Sequence, residues 1–154
     1  MRTFLAFLTL AGLLAILSQC KTPASGAMTQ QDAHAADRAK SIEREKQRIG
    51  SKASMQADEV YQNIKILKGI SADDLLQVMD HWGEALGESC DYCHVPNEYH
   101  SEVKPEKGVS RDMVGLLTTI NTDLGKIPNL GSYQPSVSCY SCHRGQKVPS
   151  RRKS

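Results

Sequence analysis

Aromatic side chains are scarce in this sequence of 154 residues, because two phenylalanines, one tryptophan and five tyrosines make up only 5% of it. An excess of charge of one sign is also absent: 19 lysines and arginines nearly balance 17 acidic residues, for a net charge of +2. A strongly basic nucleic-acid-binding domain is therefore not expected. Only 40% of the residues are apolar, and many of these lie in the first 19 positions. The remaining chain has too little apolar surface to build a large core unaided.

Long hydrophobic runs are absent as well. The longest, over residues 4–17, is shorter than the roughly 20 residues of a membrane-spanning helix. A basic start followed by a short apolar run predicts a lipoprotein-type signal peptide over residues 1–19. Cys20 closes a segment that resembles the bacterial lipobox, although Gln19 replaces the usual small residue, and cleavage after Ala27 is the alternative. We predict export to the periplasm or to an outer or cytoplasmic membrane surface, with a lipid anchor on Cys20.

The rest of the chain divides into three further segments. A lipid anchor and polar, helical tether is predicted over residues 20–57, where helix formers occur without a sustained apolar stripe. A folded domain is predicted over residues 58–150, followed by a basic tail over residues 151–154. His34 lies on the tether and is expected to be solvated.

Two amphipathic helices are predicted within the folded domain. Ser71 is a favourable N-cap for the first helix, and Gly87 can end it. The second helix is predicted to begin at Ser110 and to end before Gly125. Apolar residues recur at spacings of four, three and four, at Leu75, Met79, Trp82 and Leu86 and again at Met113, Leu117, Ile120 and Leu124. No alternating strand pattern appears, so the expected fold class is all-α.

Each predicted helix is followed by the motif Cys-x-x-Cys-His, which is typical of c-type haem attachment. Two thiols three positions apart can reach the two vinyl groups of one porphyrin, and the adjacent histidine then lies under the iron. The sequence thus predicts a small multihaem cytochrome in which two helix–loop–motif units pack around two covalently attached haems c. The cofactor-binding residues are Cys90, Cys93, His94, Cys139, Cys142 and His143, of which His94 and His143 are metal ligands.

Other uses of the paired cysteines compete with this interpretation. The four thiols could bind zinc, form disulfides, or include a thioredoxin-like redox pair. Neither zinc nor disulfides require a histidine directly after both pairs, and no βαβ pattern surrounds them. Haem also accounts for the sparse core, because two porphyrins would contribute large apolar faces to the folded domain.

A second axial ligand for each iron is expected from the helical stripes. Met79 and Met113 precede the two motifs at equivalent places in their stripes, so we predict them as metal ligands. His100, in the loop after the first motif, is the rival ligand, whereas His81 should point away from Met79 and be exposed. A methionine that only fills the core is the other alternative. Histidine–methionine ligation raises the haem potential and closes the iron to small molecules, which favours electron transfer over catalysis.

With these residues placed, the chain resembles the cytochrome subunit of bacterial photosynthetic reaction centres, in the half that carries its first two haems. The similarity extends from about residue 60 to residue 149. In that family the methionine before each motif is the sixth ligand, which implies the same for Met79 and Met113. The family subunit has four haems, and Ile127 stands where it has a histidine for a haem of the missing half, so a photosynthetic role does not follow. The matching pieces include Asn63-Ile64-Lys65-Ile66-Leu67, Arg111-Asp112-Met113, Ile120-Asn121 and Cys139-Tyr140-Ser141-Cys142-His143-Arg144-Gly145.

The predicted function is that of a dihaem electron carrier, not an enzyme, which passes single electrons between redox proteins at a membrane surface. The alternatives are a dihaem peroxidase and a haem-based gas or redox sensor, which need one open axial position. His94 and His143 are expected to donate their other ring N–H to backbone carbonyls. Arg111 and Arg144 are expected to pair with haem propionates or else to be solvated.

Overall fold

The computed structural model describes residues 28–130, 133 and 135–151. These residues contain five α-helices. The predicted signal peptide, the lipidation site at Cys20 and residues 152–154 of the basic tail lie outside the described residues. No strand occurs in the described part, so the prediction of an all-α fold is confirmed. The helices are α1 (Gln30–Ile49), α2 (Ala57–Val60), α3 (Ala72–Leu86), α4 (Pro105–Leu124) and α5 (Cys139–His143).

Short 3₁₀ turns complete the architecture at Gly50–Lys52, Cys90–Tyr92 and Pro128–Leu130. The second of these turns carries the first cysteine motif, and α5 carries the second motif. Over the residues given above, no helix has both the length and the hydropathy required to span a bilayer.

Helix α3 begins and ends where the sequence predicts. The Ser71 hydroxyl accepts a hydrogen bond from the backbone N–H of Asp74 at 3.0 Å, and acidic residues of the first turn favour the positive end of the helix. Gly87 ends the helix in the left-handed region, at φ 69°. Leu75 and Leu76 are buried, which anchors one face of α3 in the core.

Helix α4 begins five residues before the predicted start at Ser110, and this part of the prediction is wrong. Pro105 occupies the first helical position, where its fixed φ suits the helix and its missing N–H costs nothing. The added turn contains no apolar stripe, which is why hydrophobic spacing did not reveal it. Gly125 follows the last turn, as expected.

Helix α1 belongs to the folded unit, which corrects the prediction of a solvated tether. Ile49 is buried in one cluster with Ala72 and Leu76 of α3. Polar residues of α1 are buried too, because Arg38 and Ser41 face the rest of the protein. The absence of an apolar stripe misled the prediction, since much of this contact is made by polar side chains.

The first turns of α1 meet the ends of α3 and α5 at one junction. Gln31 Nε2 donates to the carbonyl of Gly145 at 3.3 Å, and His34 Nδ1 donates to the carbonyl of Gly87 at 2.8 Å. The prediction of a solvated His34 is therefore wrong. Gly145 N–H donates to the Ala85 carbonyl at 2.9 Å, and a Cβ on Gly87 would overlap the Gly145 carbonyl. The close approach of these backbones requires glycine at position 87, and the φ of 78° at Gly145 favours glycine there.

Arg38 joins α1 to α3 through a buried guanidinium. Its Nε donates to Asp80 Oδ1 at 3.0 Å, and its Nη1 donates to the Glu88 carbonyl at 2.9 Å. The Arg38 side chain is only 8% exposed. Gly83 makes room for it, because a Cβ at that position would overlap the arginine side chain.

Replacement of Arg38 by methionine is expected to lower the free energy of unfolding by about 2–3 kcal/mol, because the Glu88 carbonyl loses its donor. Urea unfolding of the purified protein, followed by circular dichroism, measures this change. Lys40→Met is the matched control, since Lys40 is an exposed cation on the same helix, and its effect should stay within about 0.5 kcal/mol. Equal losses in the two variants would contradict the structural role of Arg38.

The protein core is small. Within the described ranges no large side chain is fully buried, and the buried apolar residues are Ile49, Ala57, Ala72, Leu75, Leu76 and Ala85. No residue of α4 is buried, and Met113 on its apolar stripe is 38% exposed. The polypeptide therefore leaves apolar surface uncovered beside both cysteine motifs.

Candidate cofactor and metal centres

A cavity of about 460 Å³ lies among α1, α3 and the first cysteine motif, within the size range of ligand pockets. It brings together the predicted residues of the first unit, which are Met79, Cys90, Cys93 and His94. His100, the rival ligand, also lines this cavity although it is exposed. His81 is exposed and does not line it, as expected.

The imidazole of His94 is oriented by a backbone carbonyl. Its Nδ1 lies 3.1 Å from the carbonyl oxygen of Tyr99, and the Tyr99 ring packs edge-on at 5.5 Å between centroids. Because a carbonyl only accepts, the proton is on Nδ1 and the lone pair is on Nε2. Burial, followed by the charge of Lys107, lowers the pKa of His94. The ring is therefore neutral near pH 7 and can bind a metal through Nε2.

The first two motif thiols face the same cavity from the 3₁₀ turn. His94 N–H donates to the Cys90 carbonyl at 3.0 Å, which closes the turn, and Cys93 Sγ lies 3.7 Å from the Ser110 hydroxyl on α4. Burial raises the pKa of both thiols. Local backbone geometry thus presents both thiols and the imidazole to one cavity.

A second cavity of about 270 Å³ repeats this arrangement beside α4 and α5. It is lined by Met113, Cys139 and His143, whereas Cys142 is exposed and is not part of the lining. His143 Nδ1 donates to the Gln146 carbonyl at 3.0 Å, so its lone pair is also on Nε2. Both histidines thus make the backbone hydrogen bonds expected from the sequence.

Cys90 and Cys93 line the first cavity and Cys139 lines the second, which is unlike a single zinc site built from four thiols. All four motif cysteines are free. Residues 28–130, 133 and 135–151 contain no group of three or more His, Cys, Asp or Glu side chains placed to hold a metal ion. Each cavity instead combines motif cysteine with a histidine and a methionine.

The hydroxyl of Tyr61 tests whether a porphyrin suits the first cavity. It is buried in the cavity wall and has no hydrogen-bond partner, and the Arg48 guanidinium lies 5.2 Å from the centre of the Tyr61 ring. Burial, followed by the charge of Glu45, raises the pKa of Tyr61 to about 12, so the group is a donor. An unpaired buried hydroxyl costs about 1–3 kcal/mol. A bound group with a carboxylate, such as a haem propionate, would supply the missing acceptor, so the residues present fit haem.

A cluster of charges lies at the edge of the first cavity. Arg111 donates two hydrogen bonds to Glu102, both at 2.7 Å, and Lys65 and Lys107 lie 3.4 and 3.3 Å from the same carboxylate. The Arg111 hydrogen bonds hold the pKa of Glu102 well below its usual range. Arg111 thus lines the cavity but is already paired, and Arg144 lines neither cavity.

Several residues at the two sites were missed by sequence reasoning. Tyr61 lies just before the Asn63–Leu67 segment, whose similarity to the family was the available signal. Arg38 had no signal, because its partners are distant in sequence. Four residues line both cavities and separate the two sites, namely Trp82, Leu86, Tyr92 and Ser110.

Comparison with known proteins agrees with the resemblance found in the motifs. A family model described as photosynthetic reaction centre cytochrome C subunit matches residues 18–152. The chain is 38% identical over 96 residues to the photosynthetic reaction center cytochrome c subunit of Thermochromatium tepidum, which covers 60% of this chain and 22% of that protein. The corresponding subunit of Rubrivivax gelatinosus is 33% identical over 104 residues, or 66% of this chain and 27% of the relative.

Cytochrome c-554 of Chloroflexus aurantiacus is 34% identical over 83 residues, which cover 53% of this chain and 20% of that protein. The chain therefore spans about a quarter of the length of the curated relatives it matches.

Proposed function

The chain belongs to the photosynthetic reaction centre cytochrome c subunit family, and from this membership we propose that it is a dihaem c-type cytochrome. It passes single electrons between redox proteins at a membrane surface. The main support for the proposal is the set of side chains that line the two cavities. Each cavity combines motif cysteine and histidine with a methionine of the preceding helix.

The first site holds its haem through four side chains. Cys90 and Cys93 would hold the porphyrin through their thiols, and His94 would bind the iron through the lone pair on Nε2. Met79 would be the other protein ligand of the iron, in preference to His100, because Met79 is held in the middle of a capped helix whereas His100 is exposed on a loop. Tyr61 donates to a propionate from the cavity wall.

The second site uses Cys139, Cys142, His143 and Met113 in the same roles. Met113 is 38% exposed and no residue of α4 is buried. A porphyrin bound at the second site would cover this apolar surface, which is consistent with the assignment. Bound haem supplies one-electron redox chemistry at its iron. The polypeptide contributes orientation, exclusion of water and axial ligation.

A histidine and a methionine on each iron would favour electron transfer over catalysis, because they would leave no position for peroxide or gas to bind. The shared wall of the two cavities supports transfer between the haems, since only a few side chains separate the sites. We further propose export through the signal peptide over residues 1–19 and membrane attachment through lipidated Cys20. Soluble or membrane-bound redox proteins are the partners at that surface.

Mass spectrometry and an optical redox titration of the exported holoprotein test this function. We expect two covalently bound haems, low-spin spectra in both oxidation states and two one-electron midpoints. A mass with fewer than two haems would refute the dihaem assignment. A high-spin ferric haem that reacts with peroxide would indicate a peroxidase, and ready binding of carbon monoxide would indicate a sensor.

Replacement of Tyr61 by phenylalanine is expected to destabilise the holoprotein by about 1.5–3 kcal/mol, the value of a hydrogen bond to a charged group. Without a propionate partner, the same change would remove an unpaired buried hydroxyl and would be neutral or stabilising. Urea unfolding therefore distinguishes the two cases by sign. Tyr133→Phe is the control, because Tyr133 is 71% exposed and lines neither cavity.

A further inference from the structure

One backbone carbonyl beside the first site accepts hydrogen bonds from two different side chains. The Tyr99 carbonyl accepts from His94 Nδ1 at 3.1 Å and from Lys107 Nζ at 2.7 Å. Lys107 Nζ also donates to the Ser101 carbonyl at 3.0 Å, and its side chain is only 11% exposed. The ammonium group is therefore held against the same oxygen that orients the imidazole.

The second site has no such cation in the part of the chain that the structure describes. The Gln146 carbonyl accepts from His143 Nδ1 at 3.0 Å, and no lysine or arginine there donates to that oxygen. The two histidines thus have the same tautomer but acceptors of different strength. This difference is local and does not depend on the identity of the sixth ligands.

An ammonium on a carbonyl oxygen withdraws electron density from that oxygen and competes for its lone pairs. The carbonyl then becomes a weaker acceptor for the imidazole N–H, and the imidazole becomes a weaker electron donor through Nε2. A weaker donor stabilises ferric iron less than ferrous iron, so the potential of the bound haem rises. The positive charge itself acts in the same direction.

We infer that Lys107 is a positioning residue that raises the reduction potential of the first haem by polarising the carbonyl that holds His94. Among the residues that the structure describes, no lysine or arginine plays the equivalent role at the second haem. The inference rests on the proposed function, because it requires haem at the first motif. It makes the two haems inequivalent, so an electron entering the pair prefers the first haem more than it would without Lys107.

Redox titration of the Lys107→Met holoprotein tests the inference. We expect the one-electron reduction equilibrium of the first haem to fall about tenfold, which corresponds to about 59 mV, while the second midpoint stays unchanged. The first haem is identified as the one whose spectrum responds to Met79→Ala. Lys107→Arg keeps a charged donor and should restore most of the potential.

Lys65→Met is the matched control for charge alone. Lys65 approaches the same Glu102 carboxylate as Lys107 but makes no hydrogen bond to the Tyr99 carbonyl. Its shift should be clearly smaller, and an equal shift would show that only the charge matters. Proton NMR of the oxidised protein adds a second readout, because the His94 Nδ1 proton should exchange more slowly with solvent once Lys107 no longer competes.

An unchanged first midpoint in Lys107→Met would overturn the role of Lys107 and leave the dihaem assignment intact. Loss of the proposed function would appear earlier, as a missing haem at the first motif in the unmodified protein. Where Lys107→Met loads haem poorly, Lys107→Gln provides the same comparison. Its neutral amide should leave the potential between those of the methionine variant and the unmodified protein, and a value equal to the latter would also refute the inference.

Discussion

Without its haems, the chain is expected to lose most of its helical circular dichroism and its hydrogen-exchange protection. The described residues bury only six apolar side chains, none of them large and fully enclosed. Helix α4 buries no residue, and the two cavities separate the elements that a core would normally join. Domains of this size are stable by only about 5–15 kcal/mol, so loss of two large apolar groups removes most or all of that margin.

A variant with all four motif cysteines replaced by alanine is the direct test, because haem cannot then be attached. Exchange protection should disappear first in α4, which the protein covers least. Cys20→Ser is the matched control, since it removes a cysteine outside both motifs and should leave the haems and the fold in place. A cooperative, native-like transition in the haem-free variant would contradict the expectation.

The second large effect is expected at the sixth ligands. In Met79→Ala, the first haem should become high-spin, bind carbon monoxide and lose potential, because the side chain that fills its sixth position is gone. Met113→Ala should do the same to the second haem alone. Optical spectra, carbon monoxide titration and both midpoints measure these changes. Each loss of potential should exceed a tenfold change in the reduction equilibrium, or about 59 mV.

Two controls make this prediction specific. Met55→Ala removes a methionine that is 40% exposed and lines neither cavity, so both haem spectra should be unchanged. His100→Ala separates the rival ligand from Met79, because His100 lines the same cavity. If the first haem stays low-spin in Met79→Ala but becomes high-spin and binds carbon monoxide in His100→Ala, the ligand is His100 and not Met79.

The sequence by itself determined the features that depend on neighbours along the chain. The bounds of α3 follow from the Ser71 cap and Gly87, because capping and left-handed turns are local. The cysteine motifs predict their chemistry for the same reason, since thiol and imidazole spacing is set within five residues. Family membership also followed from short, contiguous pieces of sequence.

Hydrophobic periodicity predicted the helices less well where their contacts with the rest of the protein are polar. It found the apolar stripe of α4 but not the first turn after Pro105, which has no such stripe. It also treated α1 as a tether, because Arg38 and His34 join α1 to the domain through hydrogen bonds rather than apolar packing. A hydrogen bond to a backbone carbonyl far along the chain produces no repeating pattern in the sequence, so it cannot be predicted from residue spacing.

Only the tertiary structure decided which side chains surround each site. It placed α1 in the wall of the first cavity, left the Tyr61 hydroxyl without a partner and set Lys107 on the carbonyl that orients His94. The sequence presents two motifs of the same form and so predicts two similar haems. Their surroundings differ because long-range folding, not motif spacing, determines which charges and donors approach each histidine.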